Sequence, residues 1–272
     1  MKRMILTGTL AVATACSSGL TLMAQNAPQQ PPAQKQQQGG QPQMIPGTKS
    51  AGESQALMAL IQAQGNPDAT IKAAEDLLTK YADTQFKETA LLQEANAYQT
   101  KGDADKAQIY GERVLEVNPK SFQAELMLGE LLAQRTLEND LDKEEKLTKA
   151  EKYFNSAMAN VQSAAKPNPQ VTDAQWDEGK KFVTAEAHNG LGLVALVRKK
   201  YDVAITEFKT AADTDPQPAY LVRLASAYES SGKHAEAIAT CDKVLADPQL
   251  HPQIKQVATN IKNAATAAAN KK

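Results

Sequence analysis

The sequence predicts an all-α protein, a solenoid of stacked helical hairpins. Three observations carry this reading. Alanine, Gln, Lys, Glu and Leu dominate the 272 residues, and aromatics make up only 5%, too few for a β-sandwich core. From Ala51 onward the chain repeats itself about every 34 residues, a spacing that fits two helices and their turns. Small residues recur at matching places in those repeats, where two helices must cross closely. One such hairpin cannot bury its apolar stripe alone, so neighbours must stack.

The first 24 residues read as a secretory signal peptide. Lys2 and Arg3 precede the apolar run from Met4 to Ala15, and a second apolar stretch ends at Ala24. Cleavage after Ala24 is one reading. The other uses Cys16, which follows Ala13-Thr14-Ala15 as a lipidated cysteine would in a bacterial lipoprotein. Thr, Ser and Gly make the stretch a poor bilayer span. Residues 25–50 hold nine Gln and five Pro and almost no large apolar side chain, so they are expected to form a disordered Gln/Pro-rich linker. Residues 1–50 contain no acid, leaving 26 basic and 31 acidic residues in the body. A mildly acidic body argues against nucleic-acid binding, and membrane association is expected only through the signal or a lipid anchor.

About five hairpin units follow: 51–84, 88–121, 122–168, 185–217 and 218–251. The clearest spans are 92–119, 189–216 and 222–248. Small residues mark the crossings: Ala95, Gly129, Gly192 and Ala225 in the first helices, and Ala107, Ala150, Ala204 and Ala237 in the second. Leu91, Tyr98, Leu132, Phe154, Leu191, Phe208, Leu224 and Tyr228 fill the space beside them. Gly102 and Gly232 permit tight turns. Pro119 and Pro216 lie just past helix ends, where no continuing N–H is needed.

These residues resemble the tetratricopeptide repeat, and the resemblance covers about 200 residues. It implies a right-handed superhelical solenoid. The segment KYADTQFKETA (80–90) is similar to the inter-repeat linker of exported bacterial members. The first unit departs from the pattern at Met58 and Thr70. Gly111 and Cys241 stand where the family has a large apolar residue, so loose packing is expected there. Gly129 and Ala150 are 21 residues apart, against a family spacing of 12. The insertion near 135–149 must lengthen a helix or form a charged loop. A second insertion, near 169–184, opens with Thr172 and Gln175, a capping box. It predicts one long helix over 173–199, with Trp176 packed on the preceding repeat. Residues 252–272 are expected to form a capping helix and tail, with Ile254, Val257, Ile261 and Ala265 on one side.

No catalytic residue, cofactor or metal site is expected. The sequence lacks a nucleophile elbow, a phosphate loop and a zinc-protease motif. The three histidines, 188, 234 and 251, are scattered. Glu138, Asp140, Asp142, Glu144 and Glu145 lack the spacing of a calcium loop and read as a solvated face. If the first 24 residues are removed, Cys241 is the one remaining cysteine, expected to be buried.

Function is therefore expected on a surface. The resemblance implies a concave groove lined by first helices. Mapped here, that lining is Leu92, Asn96 and Gln99 with Thr89; Gln123, Leu126 and Glu130 with Ala133; Asn189, Leu193 and Leu196 with Glu186; and Val222, Ser226 and Glu229 with Ala219. Amides alternate with apolar groups, a mix suited to an extended peptide. Asn96 and Asn189 match the asparagines with which some members grip a terminal carboxylate. The basic partners of that grip are missing, so carboxylate-tail binding is not expected. The sequence thus reads as a non-catalytic exported scaffold for a protein or peptide partner in the bacterial cell envelope. The alternative is a lipid-anchored structural factor in envelope or outer-membrane assembly.

Overall fold

The computed structural model describes residues 44–271, and every regular element among them is an α-helix. The helices fall into consecutive pairs: α1 (Ala51–Gln62) with α2 (Pro67–Lys80), and α3 (Lys87–Thr100) with α4 (Ala104–Val117). Next come α5 (Phe122–Arg135) with α6 (Lys143–Ser163), α7 (Asp173–Val197) with α8 (Tyr201–Thr214), and α9 (Pro218–Ser230) with α10 (His234–Leu245). A final helix, α11 (Pro252–Ala269), stands alone. Each helix packs on the next in sequence. Alternate helices also touch, α5 with α7 and α9 with α11, so the array is a solenoid rather than a globule around one core. No described helix is long and apolar enough to cross a membrane.

Local chemistry sets the helix ends. The Asn66 side chain accepts the Ala69 N–H, with Pro67 at the first helical position. Thr172 and Gln175 form the full capping box, starting a 25-residue α7 that ends at Val197. Gly102 and Gly232 take positive φ, 76° and 78°, in the α3–α4 and α9–α10 turns. The α7–α8 turn has Lys199 in the corresponding place, at φ 60°, a conformation a side chain rarely adopts.

The crossings are packed as their small residues require. Ala95, Ala107, Ala150, Ala204, Ala225 and Ala237 are wholly buried. The Phe154 ring of α6 is seated between two glycines from other helices. A Cβ added to Gly129 of α5 would lie 2.9 Å from that ring, and one added to Gly190 of α7 would lie 2.1 Å from it. Gly192 is likewise covered by Phe208, 2.5 Å from an added Cβ. Ala204 sits beside Ala195, Phe208, Leu224 and Ala227. Ala204→Leu should therefore overpack this junction and cost about 1–3 kcal/mol in a denaturant melt. An unchanged midpoint would contradict the packing.

The insertion near 135–149 divides in two: a loop over 136–142 and extra turns that bring α6 to 21 residues. Most of its charges are paired. Lys199 bonds Glu138, and Lys146 bonds Asp140 and Asp142 at 3.3 and 2.9 Å. Arg198, only 12% exposed, reaches Glu144 at 2.9 Å and Glu151 at 2.8 Å and fastens α7 to α6. Trp176 packs on Phe122 of α5, ring centroids 6.2 Å apart. On α11, Ile254, Val257 and Ile261 cover Val222 and Val244.

Two expectations need correction. Residues 44–50 were expected to belong to the disordered linker, but they are tied to the first hairpin. The Ile45 N–H donates to Ser54 Oγ at 2.8 Å, the Lys49 N–H donates to Glu53 at 2.5 Å, and Ile45 packs with Leu57 and Leu60. Composition weighs a whole segment and misses a few residues that gain local partners. Nor is Gly111 loosely packed. Met127 and Leu128 fill its space, 2.6 and 3.0 Å from an added Cβ. Cys241 is fully buried, and desolvation pushes its thiol up to about 11, away from reactivity. The signal peptide, residues 25–43 of the linker, and Cys16 lie outside the described residues.

Candidate partner-binding groove

The first helices α3, α5, α7 and α9 carry the side chains expected to line a groove. Asn96 is exposed, and Leu92, Gln99, Gln123, Leu126, Glu130, Leu193, Leu196, Ser226 and Glu229 are partly so. Three are not available as open lining. Val222, 3% exposed, lies under α11, and Ala133 and Asn189 are 3% and 4% exposed. Sequence spacing assigns a face to a residue but cannot show which neighbouring helix will cover it.

The middle of this surface holds a polar cluster drawn from three first helices. Glu186 of α7 accepts the Tyr220 hydroxyl of α9 on Oε1 at 2.8 Å and the Asn189 Nδ2 on Oε2 at 3.1 Å. Glu130 of α5 accepts the Gln134 amide on Oε1 at 2.8 Å. Burial pushes the Glu130 carboxyl up to about 7, and the nearby Glu186 charge adds to the shift. Arg223 of α9 and the Gln134 bond act against it. Asn189 Oδ1 is buried and has no hydrogen-bond partner. Spacing placed Glu130, Glu186 and Asn189 on the groove side. That Tyr220 and Arg223 join them could not be read from it, because it depends on how three units stack.

A second perturbed carboxylate lies away from the groove. Glu94 of α3 is fully buried, and neither of its oxygens makes a hydrogen bond of good geometry. Burial pushes it up to about 7, opposed by the adjacent Tyr110 hydroxyl and by Arg113 of α4, with Glu75 of α2 adding to the rise. Sequence reading passed over Glu94, although the matching places in later units hold Leu128, Leu191 and Leu224. His188 bonds Glu207 through Nδ1 at 2.7 Å and has a structural contact to account for it. Among the described residues, no group of three or more His, Cys, Asp or Glu side chains could hold a metal ion.

Comparison with known proteins agrees with the geometry. A family model described as Tetratricopeptide repeat matches residues 92–165 and 189–252, just over half of the chain. A thermophilic TPR protein of Thermus thermophilus, TTC0263, shares the fold at TM-score 0.54 and 22% identity, over 79% of this chain and 99% of that one. MamA 41-end from Desulfovibrio magneticus RS-1 does so at TM-score 0.53 and 17% identity, over 71% of this chain and 93% of that one. At these identities the likeness speaks for the fold alone. No curated protein matches the sequence.

Proposed function

We propose, given that this chain belongs to the tetratricopeptide repeat family, that it is a non-catalytic scaffold whose groove holds a protein or peptide partner in the bacterial cell envelope. Protein interaction is the general use of such repeats. One observation carries the groove assignment: partly exposed Leu92, Leu126, Leu193 and Leu196 share the first-helix surface with Asn96, Gln99 and Gln123. Apolar side chains of an extended segment could rest on the leucines while the amides bond its backbone. Export rests on the basic start and apolar runs of residues 1–24.

In-cell cross-linking with mass spectrometry on the full chain tests this. Cross-links from α3, α5 and α7 to one defined protein are the expected result. Cross-links confined to the chain itself, or to the 135–149 insertion, would discard the groove. A second reading, a lipid-anchored structural factor, is favoured by Cys16 behind Ala13-Thr14-Ala15. It requires palmitate labelling that Cys16→Ser abolishes; a mature chain beginning at Gln25 would exclude it.

A further inference from the structure

We propose that the centre of the groove, between α5, α7 and α9, receives a positively charged side chain, lysine or arginine, of the bound segment. The inference rests on the groove reading above and gives the partner a chemistry. Among the groove positions read from the sequence in units two to five, the charged residues are Glu130, Glu186 and Glu229, and none is basic. Two of the three, Glu130 and Glu186, fall in the one polar cluster, close enough for the charge of one to disfavour ionisation of the other. Both keep part of their surface open.

The cluster sets two carboxylates, Glu130 and Glu186, against one nearby cation, Arg223. Its internal hydrogen bonds to carboxylate come from neutral groups: Tyr220 Oη, Asn189 Nδ2 and Gln134 Nε2. Arg223 is near enough for Glu130 to feel its charge, yet it forms no ion pair among the described residues. Asn189 supplies an independent sign. Its Nδ2 must face the Glu186 carboxylate, because the reversed amide would set two acceptor oxygens together. That leaves Oδ1 as the free acceptor of the amide, buried without a partner. A buried acceptor left unbonded costs free energy that an incoming N–H would recover. An ammonium or guanidinium group brings several N–H donors and a second positive charge to two carboxylates that share one nearby arginine. A carboxylate-ended ligand would meet repulsion at the same place.

The test uses the full chain and three random decapeptide arrays, each with one fixed central residue: an Arg/Lys mixture, Gln or Glu. The Arg/Lys array should bind about tenfold more strongly than the Gln array, the size expected of one charge-assisted contact, and the Glu array least. Glu130→Gln with Glu186→Gln should erase that preference, leaving the Arg/Lys array bound no more strongly than the Gln array. Should that double variant melt early, Arg223→Gln serves instead and should raise the preference for Arg/Lys several-fold. Equal binding of all three arrays would overturn the cation proposal and leave the groove intact. Binding of none would overturn the groove reading itself, and the proposal with it.

Discussion

Phe154→Ala is expected to lower stability by about 3–5 kcal/mol, the usual cost of removing a buried aromatic ring. The ring is only 1% exposed and packs with Leu132, Leu147, Ala150, Ala187 and Val194. It also fills the space that Gly129 and Gly190 leave free on two other helices. Removing it opens a cavity where α5, α6 and α7 meet, and three helices cannot all close on it. Gly190→Ala alone should be destabilising for the opposite reason, since its new methyl group would overlap the ring. Combined, the two changes should be less damaging than their sum, because the methyl then occupies part of the cavity. Chemical denaturation of the four proteins of this cycle measures the coupling. Strict additivity would mean that the ring and the glycine do not share one space.

A pH-dependent effect of comparable size is expected at Glu94. Its folded-state pKa is raised from the ordinary value of 4.5 to about 7. The folded protein therefore binds this proton more tightly than the unfolded chain does between those two values. Stability falls as pH rises through that window, and the whole penalty is in place above about pH 7. A shift of this size corresponds to about 3 kcal/mol. Glu94→Gln keeps the volume and removes the charge. It should gain about that much on the wild type at pH 8 relative to its standing at pH 4. A stability difference that does not change with pH would show that the carboxylate finds water or a cation in solution.

The hairpin architecture was legible because it depends on small residues at fixed spacing. Ala95, Ala107, Ala150, Ala204, Ala225 and Ala237 all proved to be wholly buried. The Thr172 capping box marked the start of the long helix for the same reason: its residues lie within one turn. Properties that arise between units were not legible. Gly190 looked like any glycine until α7 brought it against Phe154, and Gly111 looked like a void until Met127 and Leu128 reached over it. On the groove, Asn189 and Val222 were placed on the right helices, yet a neighbouring helix and a carboxylate took them out of open view. A repeat pattern describes each unit in isolation, whereas the polar cluster is made by three of them.

The Arg198 clamp also bears on how the solenoid would bend as an elastic body. A stack whose units touch mainly their neighbours flexes most at its weakest joints. The joint between α6 and α7 is fastened twice, by Arg198 to Glu144 and Glu151 and by the Phe154 ring against Gly190. Strain imposed by a bound segment should therefore be taken up on either side of this joint. The stretch of groove that contains Glu130 and Glu186 would keep its width while the flanking units give way, a rigid gauge inside a compliant spring.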